Sequence, residues 1–367
     1  MLSKKTSIGL VIIFIVAALF SGCKKANVVD TKPIKDPRTY TWTADTLWFP
    51  GSYQTLMTRI WGSSPKDVYV VGHCSSDNNG VMWHFDGNKW ENVLLSTGIH
   101  ADDWGAIGGL YSIYGFSSTD IYAAGSRIVG YNPNPPPTFT DSNLIIHYDG
   151  STWKRVNTYN GSIVADLYGI TSSDVWAGGA KNTLYHYNGS SWIKDSVHVT
   201  VPTDYYFSIG SISTYNSNYY MVGANINDNT GSTTTYFFKR LNNNWAIQDS
   251  FKDAGFQFGL RLNQSKLADL YSYGGGGIYK YSSASWGNFF QTSSPISSMW
   301  GTGNNNIFAV GTRGRVYHYN GTDWKQIEQL NNPQADYYAV WTDGTEAFVV
   351  GHIYDGVYMK TIVWHGK

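Results

Sequence analysis

Four short stretches set carboxylates directly beside aromatic rings: Asp102-Asp103-Trp104, Asp166-Leu167-Tyr168, Asp204-Tyr205-Tyr206 and Asp336-Tyr337-Tyr338. Carboxylates next to aromatic faces suit recognition of a sugar or a cation. Two such carboxylates with pKa values pushed apart, and Tyr205 or Tyr337 as acid, would serve a lyase or a glycoside hydrolase. The plainer alternative has each Asp capping the entry to a strand while the tyrosines pack between neighbouring units. Arg313 and Arg315 could pair with an anionic ligand or simply be solvated. Tyr131, His352 and Tyr354 complete the candidate ligand-binding side chains.

Metal chemistry has little support. His73-Cys74 and His352 each follow a strand-ending Gly, but a zinc site would need two further placed ligands. The Asp/Asn-rich segments 77–80 and 225–231 lack the D-x-[DN]-x-[DN]-G frame of a calcium loop and read as turns. His84, His147, His186 and His318 recur once per repeat, so they fall in different sheets and act as structural hydrogen-bonders. No cofactor, no metal ligand and no catalytic residue is assigned.

The elements that position these residues are repeats. The cleanest copy is MWGTGNNNIFAVGTRGRVYHYNGTDW, residues 299–324. It holds an aromatic-Gly pair, a turn, an alternating strand ending in Gly, a strand ending His-Tyr-Asn-Gly, and a Trp. Second strands recur as DVYVVG (67–72), DIYAAG (120–125), DVWAGG (174–179), NYYMVG (218–223), NIFAVG (306–311) and EAFVVG (346–351), with KLADLY (266–271) as a degenerate copy. The residues opening the innermost strands align as Trp61, Tyr114, Tyr168, Ile209, Phe258, Trp300 and Trp341. Four short strands per unit, repeated seven times, specify an all-β, seven-bladed β-propeller over residues 40–367.

Six outer tryptophans, Trp90, Trp153, Trp192, Trp245, Trp286 and Trp324, serve seven blades. The seventh outer strand comes from the other end of the chain, Tyr40–Leu47 with Trp42, so the N-terminal strand closes the last blade. In a four-stranded antiparallel blade the first and third turns share one face, and the second turn and the crossover share the other. The constant spacings fall on the first face and the variable ones on the second. Ligand sites favour variable loops on a rigid scaffold, which points to the loop face near blades seven, one and two.

Composition narrows the class. Formal charge is zero, so no basic face calls for nucleic acid. Charged residues make 14% of the chain and aromatics 16%, which suits many short strands and tight turns. With Cys23 assigned to lipid, Cys74 is the one remaining thiol and no internal disulfide can form.

Residues 1–22 read as a targeting segment. Lys4 and Lys5 precede an uncharged run from Ile8 to Phe20, too short for a comfortable membrane span. The run ends Phe20-Ser21-Gly22-Cys23, which resembles the lipobox of bacterial lipoproteins. That resemblance implies cleavage before Cys23 and a diacylglycerol on its thiol, with residues 23–39 as a tether. It further implies an outer-membrane lipoprotein of the cell envelope, facing either side. The mature chain would carry 24 basic and 26 acidic residues, net −2.

The repeated D-V-W/Y-A-V-G and H-Y-D-G-x-x-W strings resemble those of bacterial propellers grouped with kelch, galactose-oxidase central-domain and BNR/Asp-box repeats. The shared strings are structural ones. Asp149-Gly150-Ser151-Thr152-Trp153 is one residue shorter than the sialidase Asp-box, and the chain has eight arginines and three glutamates. The expected function is a monomeric, non-catalytic binding propeller presenting its loop face to a glycan or an envelope protein. A carbohydrate-active lyase or hydrolase and a scaffold of an envelope complex are the alternatives.

Overall fold

The computed structural model describes residues 35–76, 79–95, 106–132, 134, 138–156, 161–252, 259–265 and 267–367. The signal segment, Cys23, Asp102, Asp103, Trp104, Asp77 and Phe258 lie outside the described residues.

Lys35–Lys367 forms one compact unit of seven sheets, each of four antiparallel strands. Blade one runs outward from the axis as Thr55–Ser64, Asp67–Cys74, Met82–Phe85 and Trp90–Asn92. The next five blades repeat this order. In the last, Asp336–Thr342, Ala347–Tyr354 and Met359–Gly366 are completed by Trp42–Leu47 from the N-terminal end. The closing ladder runs from Trp42 opposite Gly366 to Leu47 opposite Thr361, so no third strand is left with a bare edge.

The repeat residues have assignable jobs. In blades one to three the Asp opening the second strand bonds the imidazole near the end of the third: His84 to Asp67, His147 to Asp120 and His186 to Asp174, each at 2.7 Å. Each of those imidazoles also stacks on the ring two residues past the Asp, with centroids 4.1–4.2 Å apart. The outer tryptophans bridge blades edge-on: Trp153 meets Tyr69, Trp192 meets Tyr122, and Trp245 meets Trp176. In blades one to three the Gly after the opening aromatic, Gly62, Gly115 or Gly169, admits a ring of the preceding blade, Trp341, Trp61 or Phe116. A Cβ on Gly115 would lie 2.6 Å from Trp61.

Six inner strands carry a β-bulge at one shared register, opposite the Gly that ends the second strand. There the two backbones nearly touch: a Cβ on Gly125 would sit 1.9 Å from the Gly109 carbonyl oxygen. Gly125→Ala is expected to destabilise by about 3 kcal/mol, since backbone cannot move aside as a side chain would. Urea denaturation reads this directly, and an unchanged midpoint would remove the close approach from the account.

Two sequence alignments need correction. In blade four, Ser213 rather than Ile209 faces Tyr220, the counterpart of Tyr69; Ile209 faces Gly223 at the bulge. That blade has no aromatic at the opening position. A two-residue turn, Asn216-Ser217, with φ of 49° and 59°, also shortens its first hairpin. In blade five the second strand is Leu270–Gly274, and its motif is Asp269-Leu270-Tyr271-Ser272-Tyr273-Gly274. It is intact rather than degenerate, because Lys280 Nζ replaces histidine 2.7 Å from Asp269.

Candidate functional site

The six bulged inner strands and the short inner strand of blade five each bring one residue to the axis. With the corrected alignments these are Arg59, Ser112, Asp166, Ser211, Arg261, Ser298 and Ala339, all lining one cavity of about 40 Å³. Their side chains tie blades together. Ser112 Oγ accepts from Leu167 N, Asp166 Oδ2 from Ile212 N, and Ser298 Oγ from Val340 N. Asp166 is therefore the carboxylate member of a repeating belt. It is 3% exposed, accepts a further bond from Gln264 Nε2 at 2.8 Å, and lies 3.8 Å from Arg261 Nη1. Burial pushes its carboxyl up to about 6, against the pull of Arg261 and the Ile212 amide.

The other carboxylates lie elsewhere. Asp204 is exposed at φ 66° in the crossover entering blade four, next to the half-buried Tyr205. Asp336 Oδ1 accepts from the Arg313 amide at 2.9 Å, so it caps the blade-six loop. Neither lines the axial cavity with Asp166, and no paired-carboxylate centre emerges from the three. Tyr337 is 1% exposed and donates to the Leu330 carbonyl oxygen at 2.8 Å; burial pushes its hydroxyl up to about 12. Its ring belongs to the core. Arg313 is exposed on a tight turn. Tyr131 pairs with Phe139 in the long second hairpin of blade two.

The zinc reading finds no set of ligands. His73 Nδ1 bonds the Gly108 oxygen and His352 Nε2 bonds the Met57 oxygen, each bridging to the next blade. Among the described residues no group of three His, Cys, Asp or Glu side chains could hold a metal ion.

One exposed candidate sits within an aromatic cluster. Tyr354 is 67% exposed, at the end of the second strand of blade seven. Beside it the turn to the third strand presents Val357 at 62%, and the crossover into blade one presents Tyr53 at 70%. Trp48 and Tyr358 pack under these, with ring centroids 5.4 Å apart, and Tyr53 lies 6.1 Å from Tyr358. Lys360 stands over both Trp48 and Tyr358 and pairs with Asp355 at 2.6 Å. The crossover is locked to the turn by the Met359 amide donating to the Tyr53 oxygen. The result is a rigid aromatic platform on the variable-loop face where blades seven and one meet.

The opposite mouth of the channel opens into a cavity of about 330 Å³ lined by Trp61, Tyr114, Trp300 and Trp341. Those rings are committed to the next blade. Trp300 Nε1, for example, donates to the Thr342 oxygen at 3.1 Å.

Neither a protein-family model nor a curated protein matches this chain. Solved structures share its architecture at low identity. A YCF48 structure bound to a D1 peptide superposes with a TM-score of 0.57 at 13% identity, over 88% of this chain and 96% of that one. The WD40 β-propeller domain of Doa1 gives 0.56 at 12%, over 89% and 97%. The extracellular domain of a putative hybrid two-component system, BT4673 from B. thetaiotaomicron, gives 0.53 at 15%, over 88% and 40%. At these identities the likeness establishes the seven-bladed propeller fold.

Proposed function

We propose that this chain is a non-catalytic binding propeller of the cell envelope, presenting its variable-loop face to a protein partner. The observation that carries the reading is the platform of Trp48, Tyr53, Tyr354, Val357 and Tyr358. Large aromatic side chains held rigidly in solvent, rimmed by a charged pair, are what a protein-binding hot spot requires. The similar YCF48 structure holds a peptide, which agrees with this use of the fold. Of the candidate carboxylates, Asp166 is engaged in a blade-to-blade bond and Asp336 in capping.

The test compares the unaltered chain with Tyr53→Ser/Tyr354→Ser/Val357→Ser as baits on envelope extracts, alongside a glycan panel with product analysis. These side chains are exposed, so the triple variant should keep its stability within about 0.5 kcal/mol. Partners captured by the unaltered chain should be lost from the variant. Identical capture by both, or turnover of any glycan, would overturn the reading.

The same proposal puts the domain on the outer membrane through lipid on Cys23, with the tether expected over residues 23–39 ending at residue 34, because Lys35 onward belongs to the compact unit and Arg38 is bonded to blade six. Cys23→Ser should move the chain from the membrane to the soluble fraction after cell breakage. A variant that stays with the membrane through a carbonate wash would contradict lipid attachment at this residue.

A further inference from the structure

The axial belt does not balance its charge. Two guanidiniums, Arg59 and Arg261, and one carboxylate, Asp166, line the same small cavity. The carboxylate is already filled. One oxygen takes the Ile212 amide and Gln264, and the other faces Arg261. Arg261 also donates to the Gly210 oxygen at 3.1 Å. Arg59 donates to the Thr58 oxygen at 2.8 Å, and among the described residues no carboxylate forms an ion pair with it. A guanidinium remains protonated at neutral pH whatever its surroundings. Half-buried among the inner strands and repelled by Arg261, with Asp166 opposing that repulsion while already bonded elsewhere, Arg59 carries a partly desolvated charge for which a counter-ion would be favourable.

The cavity says what the counter-ion is. Its volume of about 40 Å³ leaves room for a few water-sized bodies. That is far below the roughly 300 Å³ from which organic-ligand pockets start. The lining supplies guanidinium donors and the hydroxyls of Ser298 and Tyr273, and no free carboxylate.

We propose that the propeller channel binds one monatomic anion of the halide class, seated against Arg59 and within reach of Arg261. The anion neutralises the belt and joins the inner strands of blades one and five, which are not neighbours in the ring. It is a structural ligand, separate from the loop-face platform.

The experiment melts the full chain, solubilised in a non-ionic detergent, in sodium bromide and in sodium gluconate at equal ionic strength and pH 7. Bromide should raise the melting temperature saturably, by about 2–4 °C. Arg59→Gln should lose that increment and melt no lower than the unaltered chain in gluconate, because the uncompensated charge has gone. An unaltered chain indifferent to bromide, or a variant that keeps the increment, would overturn the proposal. A second reading does not depend on the variant folding. Crystals of the unaltered chain grown in bromide should show an anomalous peak about 3.5 Å from the Arg59 guanidinium. A channel without that peak would equally sink it.

Discussion

A chain that starts at Ser52, lacking residues 35–51, should show no cooperative unfolding transition near that of the intact domain. Trp42–Leu47 supplies the whole outer strand of blade seven, in a ladder of six residue pairs. The ends are fastened twice more, by Thr41 N to the Lys367 oxygen and Lys367 N to the Thr41 oxygen. Tyr40 and Leu47 are buried, and each contributes about 1.5–3 kcal/mol by leaving water. Arg38 adds a clamp on blade six: Nη1 lies 2.9 Å from Asp323 Oδ1, and Nη2 donates to the His318 and Asp323 carbonyl oxygens. Hydrogen bonds from a charged group contribute about 1.5–3 kcal/mol each. Together these terms are comparable with the entire stability of an ordinary domain, about 5–15 kcal/mol. An open solenoid would lose only its terminal unit; a ring loses its closure. Calorimetry of the truncated chain decides the matter, and a melting temperature within a few degrees of the intact domain would contradict ring closure.

Acid should weaken the domain between pH 6.5 and 4, and the loss should trace to histidines lowered by burial, His318 and His352 foremost, with His365 lowered in the same direction. Burial lowers His318 to about 4, with Arg38 adding to the effect and Asp36 and Asp323 opposing it. Burial likewise lowers His352 to about 4, against the Met57 carbonyl and Asp336. In this window the unfolded imidazoles take up protons and the folded ones do not, so stability falls as pH falls. At about 1.4 kcal/mol per unit the upper value is about 3 kcal/mol for each of His318 and His352. Asp166 works in the opposite sense. Its folded carboxyl is raised to about 6, so the folded state holds an extra proton below that pH and gains stability relative to the unfolded chain. His352→Gln, which can still donate to the Met57 oxygen, should flatten the acid limb of the stability curve. Asp166→Asn should steepen it. Denaturant titrations from pH 4 to 7 read both slopes, and parallel curves for all three proteins would remove these groups as its cause.

The number of blades and the closing strand are legible in the sequence because one residue pattern does the same work in every copy. Asp, an aromatic, His and Trp recur at fixed spacing since each makes a fixed contact: carboxylate to imidazole, imidazole on ring, ring edge on ring. Where a blade makes the same contact with other residues the pattern fades. Lys280 over Tyr271 does in blade five what histidine does in blade one, and Ser213 takes the place of Trp61 in blade four.

The site was less legible, for a definite reason. A strand reverses its facing side with a slip of one residue, and the inner-strand bulges impose that slip in six blades. Asp-Leu-Tyr and Asp-Tyr-Tyr look alike in the sequence. Yet Asp166 lies after its bulge and enters the channel, while Asp336 lies before its bulge and stays at the rim. The platform had a signal that could have been read. Trp48, Tyr53 and Tyr358 are aromatics in turn segments, TLWFPGSY and DGVY, where no strand periodicity offers a core position. Tyr354 was the one member named from sequence.

The most direct measurement is site-specific photo-crosslinking in intact cells, with benzoylphenylalanine at Tyr354 on the loop face and at Ile247 on the outer strand of blade four. Both positions are exposed, so either chain should fold. The account expects a discrete protein adduct from position 354 and none from position 247. An adduct confined to 247, or no adduct from 354 in cells that express the chain at its native level, would contradict it.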